Sequence, residues 1–289
     1  MDSVLTPKGF PVASGSHKAE QKVSVSIDNK PKLKGKKKGA SEFTMDNALL
    51  DKRLLAVGPD FEVDNDRIRH QHVGLISRAT MSRVFGGNPQ RMISYLSAEK
   101  KQAHGFTSPL LFPNRNFNPH LPTKIGERGL LFRLDQGLQE WVDNEGGVGP
   151  YYLMMHHASD DYCYFGVYQF VRVDPVTKDE WLAQSSLVKD NWVNHALKVN
   201  TGEQTRARVF LRRNLGREPT SAEVEAIKKD DSLKGRVTAA QIMEDLDSGT
   251  EQLVIWGMKC IKYDYAFEKY LTDNLAAANA ELSKKRKSH

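Results

Sequence analysis

The chain has 289 residues, 39% of them hydrophobic, and a formal charge of +6. That is enough for one large domain or two small ones plus tails, and no run of about 18 apolar residues is present to span a bilayer. The N-terminus lacks an apolar secretory segment. The two cysteines, Cys163 and Cys260, lie in apolar, strand-like runs and are expected as buried thiols in a reducing compartment.

The charge is unevenly spread. Residues 1–40 hold nine Lys and Arg against three Asp and Glu, which leaves 33 of each sign in the rest of the chain. Attraction to nucleic acid therefore comes mainly from the ends, or from a local patch. Residues 1–44 are poor in large apolar side chains and are expected to be a disordered basic tail. The run Lys30-Pro-Lys-Leu-Lys-Gly-Lys36-Lys37-Lys38 reads as a nuclear address or a nucleic-acid-binding arm, with a merely solvated tail as the plain alternative. The second cluster, Lys284-Lys285-Arg286-Lys287, favours a nuclear over a cytoplasmic location.

A helical segment is expected over 45–106. Asp46 caps a helix carrying Leu49, Leu50, Leu54 and Leu55 that ends before Gly58-Pro59. The stretch Ser77-Arg-Ala-Thr-Met-Ser-Arg-Val-Phe-Gly86 predicts a helix with Met81, Val84 and Phe85 on one face, stopped at Gly86-Gly87. Met92, Ile93 and Leu96 then mark a second amphipathic helix. Ser77–Gly86 resembles the recognition helix of the bacterial lactose-repressor family of helix-turn-helix proteins. The likeness implies that its Ser-Arg and Thr-x-Ser-Arg groups face phosphates and bases. The preceding His70-Gln-His-Val-Gly-Leu lacks a positioning helix, so an ordinary helix pair packed on the main domain is the other reading.

Residues 107–125, with four prolines, form an extended loop. Its Asn114, Arg115, Asn116, Asn118 and His120 either line a polar cleft or hydrogen-bond the loop in place. Strands follow at Gly126–Leu134, Tyr151–His157, Tyr162–Val173 and, much later, Gln252–Tyr263, because aromatic and β-branched residues fit a pleated surface. Gly166 and Gly257 predict bulges that bend their strands toward a closed barrel. Between the third and fourth strands lies a helical insertion, roughly 177–247, with capping boxes at Thr177/Glu180, Thr220/Glu223 and Thr238/Gln241. On one of its helices Val209, Phe210 and Leu215 face inward. Arg206, Arg213 and Arg217 share another face that either grips phosphates or is neutralised by acidic neighbours. Residues 264–289 are expected as a C-terminal helix and basic tail.

His156-His157, Cys163 and the loop residue His120 are the candidates for catalysis. Adjacent histidines on a strand point to opposite faces, and no metal-ligand spacing or phosphate-cradling loop is present, so no metal and no cofactor are expected. Tyr164 and Tyr168, on a strand rich in aromatics, either stack on bases or form core.

Phe117-Asn-Pro-His-Leu-Pro, Gly129-Leu-Leu-Phe, Tyr164-Phe-Gly-Val-Tyr, Val171-Arg-Val-Asp-Pro-Val-Thr and Glu180-Trp181 resemble an uncharacterised domain of basidiomycete fungi over about 105–265. That likeness implies no activity. The pattern Gly-x-Tyr-x-x-x-x-Val after a tyrosine-rich strand is similar to pseudouridine-synthase-and-archaeosine-transglycosylase-like (PUA-like) barrels, which implies binding of RNA or modified bases. The expected architecture is α+β: a small, bent, mostly antiparallel β-barrel over 126–263, with an N-terminal helical segment, a helical insertion and a C-terminal helix. The expected function is a nuclear nucleic-acid-binding module, using Lys36, Lys37, Lys38, Arg206, Arg213, Arg217, Tyr164 and Tyr168. The alternatives are an enzyme acting on a small ligand or nucleotide beneath the 107–125 loop, with His120, His157 or Cys163 at work, and a protein-interaction module.

Overall fold

The tyrosine-rich stretch folds as the hairpin its composition predicts. In the computed structural model, which describes residues 42–64, 68, 76–134, 148–158 and 161–274, strand β5 (Val148–Ala158) pairs antiparallel with β6 (Asp161–Arg172). The distant segment β7 (Val254–Lys262) pairs with the other edge of β6, and β4 (Gly129–Arg133) pairs with β7. Three two-residue strands complete the sheet: β1 (Ile76–Ser77) on the start of β6, and β2 (Ile93–Ser94) on β3 (Leu110–Leu111), which joins β5 in parallel. The order is β2-β3-β5-β6-β7-β4. Gly166 supplies the expected irregularity: its φ is +123°, and the β5–β6 register slips between Leu153 and Met154. Gly257 serves a different purpose. A Cβ there would lie 2.4 Å from Val57 Cγ2, so this glycine lets a helix approach the strand rather than bending it.

The sheet is open, which corrects the expected barrel. Closure needs a ladder between β4 and the β2–β3 end, and the outer edge of β4 is already taken. The Leu130 amide donates to the His120 carbonyl at 2.8 Å, and the buried Phe132 amide donates to Asn118 Oδ1 at 2.6 Å. The 107–125 loop is thus the cover of an edge strand. The sheet still curls, since Leu111 of β3 and Leu131 of β4 join one cluster with Tyr151, Leu153, Phe165, Tyr168, Trp256 and Met258 on its inner face. Arg133 Nη1 reaches Met92 Sδ at 3.3 Å, so the two ends meet through side chains.

The other face carries two helical layers. Helix α1 (Asn47–Val57), capped by Asp46, packs Val57 against β7, and Leu50 and Leu54 also face the core. Leu49 and Leu55 of the expected apolar face are instead exposed. Phe43 is buried against Phe132, so the packed fold begins inside the segment expected as tail. Arg53, 3% exposed, joins α1 to the next layer. It donates to the carbonyls of Asp174 and Pro175 and makes a bidentate pair with Glu180 at 2.5 and 2.8 Å.

Glu180 also closes the capping box of α4 (Lys178–Leu182). The insertion continues through α5 (Ser186–Lys198), a single 3-10 turn (Asn200–Gly202), α6 (Glu203–Leu215), α7 (Ser221–Ile227), α8 (Leu233–Arg236) and α9 (Ala239–Ser248). All three predicted capping boxes are formed. Leu215 departs from expectation: it ends α6 and is exposed.

At the β3–β5 end, helices α2 (Arg78–Phe85) and α10 (residues 265–274) cover the sheet, with Phe267 stacked on Tyr152 at 3.8 Å. The second amphipathic helix expected from Met92 is displaced. Ile93 and Ser94 form β2, and the helix, α3 (Ala98–His104), starts only after the Ser97 cap. No helix among the described residues is long and apolar enough to cross a membrane.

Candidate nucleic-acid interface

Of the residues expected to carry phosphate contacts in the insertion, Arg206 and Arg213 are tied into the fold, and Arg217 is paired at its surface. Arg206 is 2% exposed and donates to the carbonyls of Ala196, Leu197 and Val199, three acceptors at the C-terminal end of α5. Arg213 pairs with Glu244 at 3.0 Å and Asp245 at 2.8 Å, and Arg217 with Glu223 at 2.6 Å. Between them, Arg208 makes a buried bidentate pair with Glu251 at 2.8 and 2.6 Å, and Arg212 binds Asp245, Glu251 and Glu218. Of the two sequence readings of this face, the neutralised one describes the molecule.

The aromatic candidates are committed too. Tyr168 donates to the Glu127 carbonyl at 2.8 Å from the inner core, and Tyr164 packs against Phe267 and Tyr263 on the opposite face. Both are buried, so neither presents a ring to a base. Lys36, Lys37, Lys38 and the 284–287 cluster lie outside the described residues.

The catalytic candidates are not assembled. His120 packs beside Phe132 at 6.2 Å, on the face shared with Phe43, whereas Cys163 packs with the inner cluster on the other side of the sheet. Burial lowers the His120 pKa against a weaker upward pull from Glu42. The bulge between His156 and Ala158 sets His157 diagonal to Cys163, and no hydrogen bond joins them among the described residues. Burial pushes the Cys163 thiol up to about 11, with Asp161 adding to the effect and Arg115 opposing it. Cys260 is pushed up to about 12 by burial. A thiol so raised is not a nucleophile at neutral pH. Both cysteines are free, and no group of three metal-ligating side chains occurs among the described residues. The loop packs Phe117 against Trp192 and His195, at 5.1 and 4.8 Å, where the alternative reading places a cleft.

A different surface emerges from residues 76–104. This unit holds five cations, Arg78, Arg83, Arg91, Lys100 and Lys101, and one carboxylate, Glu99. Its construction is local. Ser77 caps α2 through the Thr80 amide, Ser97 caps α3 through the Lys100 amide, and the Ser97 amide donates to the Phe85 carbonyl at 3.1 Å. Gly87, at φ +85°, lies so close to the next strand that a Cβ would sit 2.5 Å from Tyr95 O and from Ser94 Oγ. Arg78 turns inward. Its guanidinium lies 4.4 Å from the centre of the Phe112 ring and donates to the Arg91 carbonyl.

Arg83 and Arg91 are exposed and Lys100 and Lys101 half-buried, with Tyr95 exposed among them. Arg91, Lys100 and Lys101 make no ion pair among the described residues. For the helix-turn-helix likeness of Ser77–Gly86, the positioning helix would fall in residues 69–75, which lie outside the described residues; α2 itself buries Thr80, Met81 and Phe85 against the fold. Sequence reasoning passed over Tyr95, Arg91, Lys100 and Lys101. The signal available was the local charge imbalance, not the helix motif.

Residues 75–274 match the family model of a domain of unknown function (DUF6697). No curated protein and no solved structure matches the chain.

Proposed function

Because the chain belongs to the DUF6697 family, whose description carries no activity, we propose from its own chemistry that it is a nucleic-acid-binding module of the nucleus, not an enzyme. The observation that carries this reading is the charge of residues 76–104, five cations against one carboxylate, of which Arg91, Lys100 and Lys101 stand without carboxylate partners among the described residues. Such cations displace counterions from a phosphate backbone, so binding weakens as salt rises. The lysine clusters at Lys36–Lys38 and 284–287 add a second, sequence-independent attraction and support the nuclear placement. The raised thiols of Cys163 and Cys260 and the separation of His120 from Cys163 weigh against catalysis.

The test is a titration of labelled oligonucleotide across salt concentrations. Replacing Arg91, Lys100 and Lys101 together with alanine is expected to flatten the slope of log K against log[salt] by about two to three, roughly 0.7–0.9 for each phosphate left without its cation. Replacing Lys36, Lys37 and Lys38 is expected to weaken binding without abolishing it. Wild-type protein that binds neither DNA nor RNA at low salt defeats the proposal. Binding abolished by the tail substitutions alone removes this surface from it.

A further inference from the structure

We infer that Arg115, in the 107–125 loop, is the cation of an oxyanion site that takes a phosphate group, made of different residues from the 76–104 unit. The buried guanidinium groups of Arg53, Arg206 and Arg208 each meet three or more acceptors. That of Arg115 does not. Its Nη2 donates to the Pro122 carbonyl over a long 3.5 Å, its Nε is buried with no acceptor, and no carboxylate pairs with it among the described residues. Two acidic groups act on it from a distance. Glu127 turns its Oε2 to the Thr123 amide and hydroxyl and to the Lys124 amide instead. Cys163 has its thiol pushed up to about 11 by burial and is neutral. Burial outweighs both and lowers the Arg115 pKa. The fold thus carries a partly desolvated charge that it does not neutralise.

The backbone that presents this side chain is fixed on both sides. The Asn118 amide donates to the Arg115 carbonyl at 3.1 Å, and the Asn118 side chain donates to the Asn114 carbonyl at 2.8 Å while accepting from Phe132. Asn114 Oδ1 takes the Asn116 amide at 2.9 Å. Arg115 itself is half-buried, so solvent reaches part of it. A guanidinium fork matches the geometry of an oxyanion. A phosphate brings more charge and more acceptor oxygens to its unused donors than a carboxylate does.

The experiment is urea unfolding of the full chain in chloride, acetate and inorganic phosphate at one ionic strength, for wild type and Arg115→Met, which keeps the apolar stem and removes the charge. The quantity read is the rise in midpoint in wild type beyond that in Arg115→Met, which cancels the general effect of an excluded salt. This excess is expected to grow with phosphate concentration and to be smaller in acetate. It is expected to be unchanged when Arg91, Lys100 and Lys101 are replaced with alanine in both chains. In chloride the Arg115→Met midpoint is expected at or above that of wild type, because an unpaired charge has been removed. No excess in phosphate overturns the site, and an excess lost with Arg91, Lys100 and Lys101 moves the anion to the 76–104 unit and overturns it as well. An excess as large in acetate overturns the assignment to phosphate. An Arg115→Met midpoint well below wild type in chloride means that the guanidinium holds the loop, and likewise overturns the site.

Discussion

Two parts of this molecule are rich in arginine and lysine, and only one of them has a basic surface. The insertion between α4 and Glu251 holds twelve cations against thirteen carboxylates. Its guanidinium groups are spent on Glu251, Asp245, Glu218, Glu223 and the carbonyls at the end of α5. The α2–α3 unit holds five cations against one carboxylate, and Arg91, Lys100 and Lys101 make no ion pair among the described residues. A periodic arginine face on a helix therefore says little about anion binding until the acidic residues in reach are counted, including those distant in sequence. Glu251 reaches Arg208 from 43 residues away and Asp245 reaches Arg212 from 33.

The contrast breaks most visibly at Glu251, which is 2% exposed. Replacing it with alanine strands the buried Arg208 charge and removes one of three carboxylates from Arg212. The expected loss is about 3–5 kcal/mol by urea unfolding. A loss below about 1 kcal/mol would mean the network is not what holds α6 to the insertion. Next in size is acid sensitivity. Burial works against the Glu180 charge, but hydrogen bonds from Arg53 and Thr177 hold its carboxyl below the ordinary value of 4.5. Its contribution is therefore full above about pH 4.5 and is lost as pH falls through the lower folded value. Glu223, held at about 2 by the Arg217 pair and the Thr220 cap, behaves the same way, its contribution full above about pH 4.5 and lost as pH falls through about 2. Urea midpoints measured down this range should fall for wild type and fall less for Glu180→Gln.

A smaller effect sharpens the other side. Arg91→Ala should change stability by less than about 0.5 kcal/mol, because nothing in the fold depends on its side chain, while still weakening binding to nucleic acid. Arg213→Ala with Arg217→Ala should do the reverse, lowering the urea midpoint and leaving binding untouched. The smallest expected effect is at the thiols. Neither Cys163 nor Cys260 should react appreciably with iodoacetamide at neutral pH until the chain is unfolded. Fast labelling of Cys163 in the folded protein would reopen the enzymatic reading.

The sequence was most readable where local chemistry decides the outcome. The capping boxes at Thr177, Thr220 and Thr238 need only residues three apart, and the four long strands carry their own aromatic and β-branched signal. It was least readable where the answer depends on a distant partner. Nothing local to Phe132 says that Asn118 will take its amide, so the sheet looked free to close. Nothing local to Arg206 says that it will turn into the carbonyls of α5. The short strands β1, β2 and β3 have two residues each, too few to show a period, and Met92–Leu96 accordingly read as helix. The candidate surface was legible only as a charge count, since the exposure of Tyr95 follows from Gly87 and the β2–β3 ladder.

The loop over β4 has a consequence for how the chain behaves in company. The strand beneath it, Gly129-Leu-Leu-Phe-Arg133, is short, apolar and at the margin of the sheet. Such a margin recruits strands from other molecules when its amides are bare. Asn118, through a single side-chain oxygen, occupies one of those amides. Loss of that group would turn a sealed border into an adhesive one, and the first sign would be aggregation during refolding at high protein concentration.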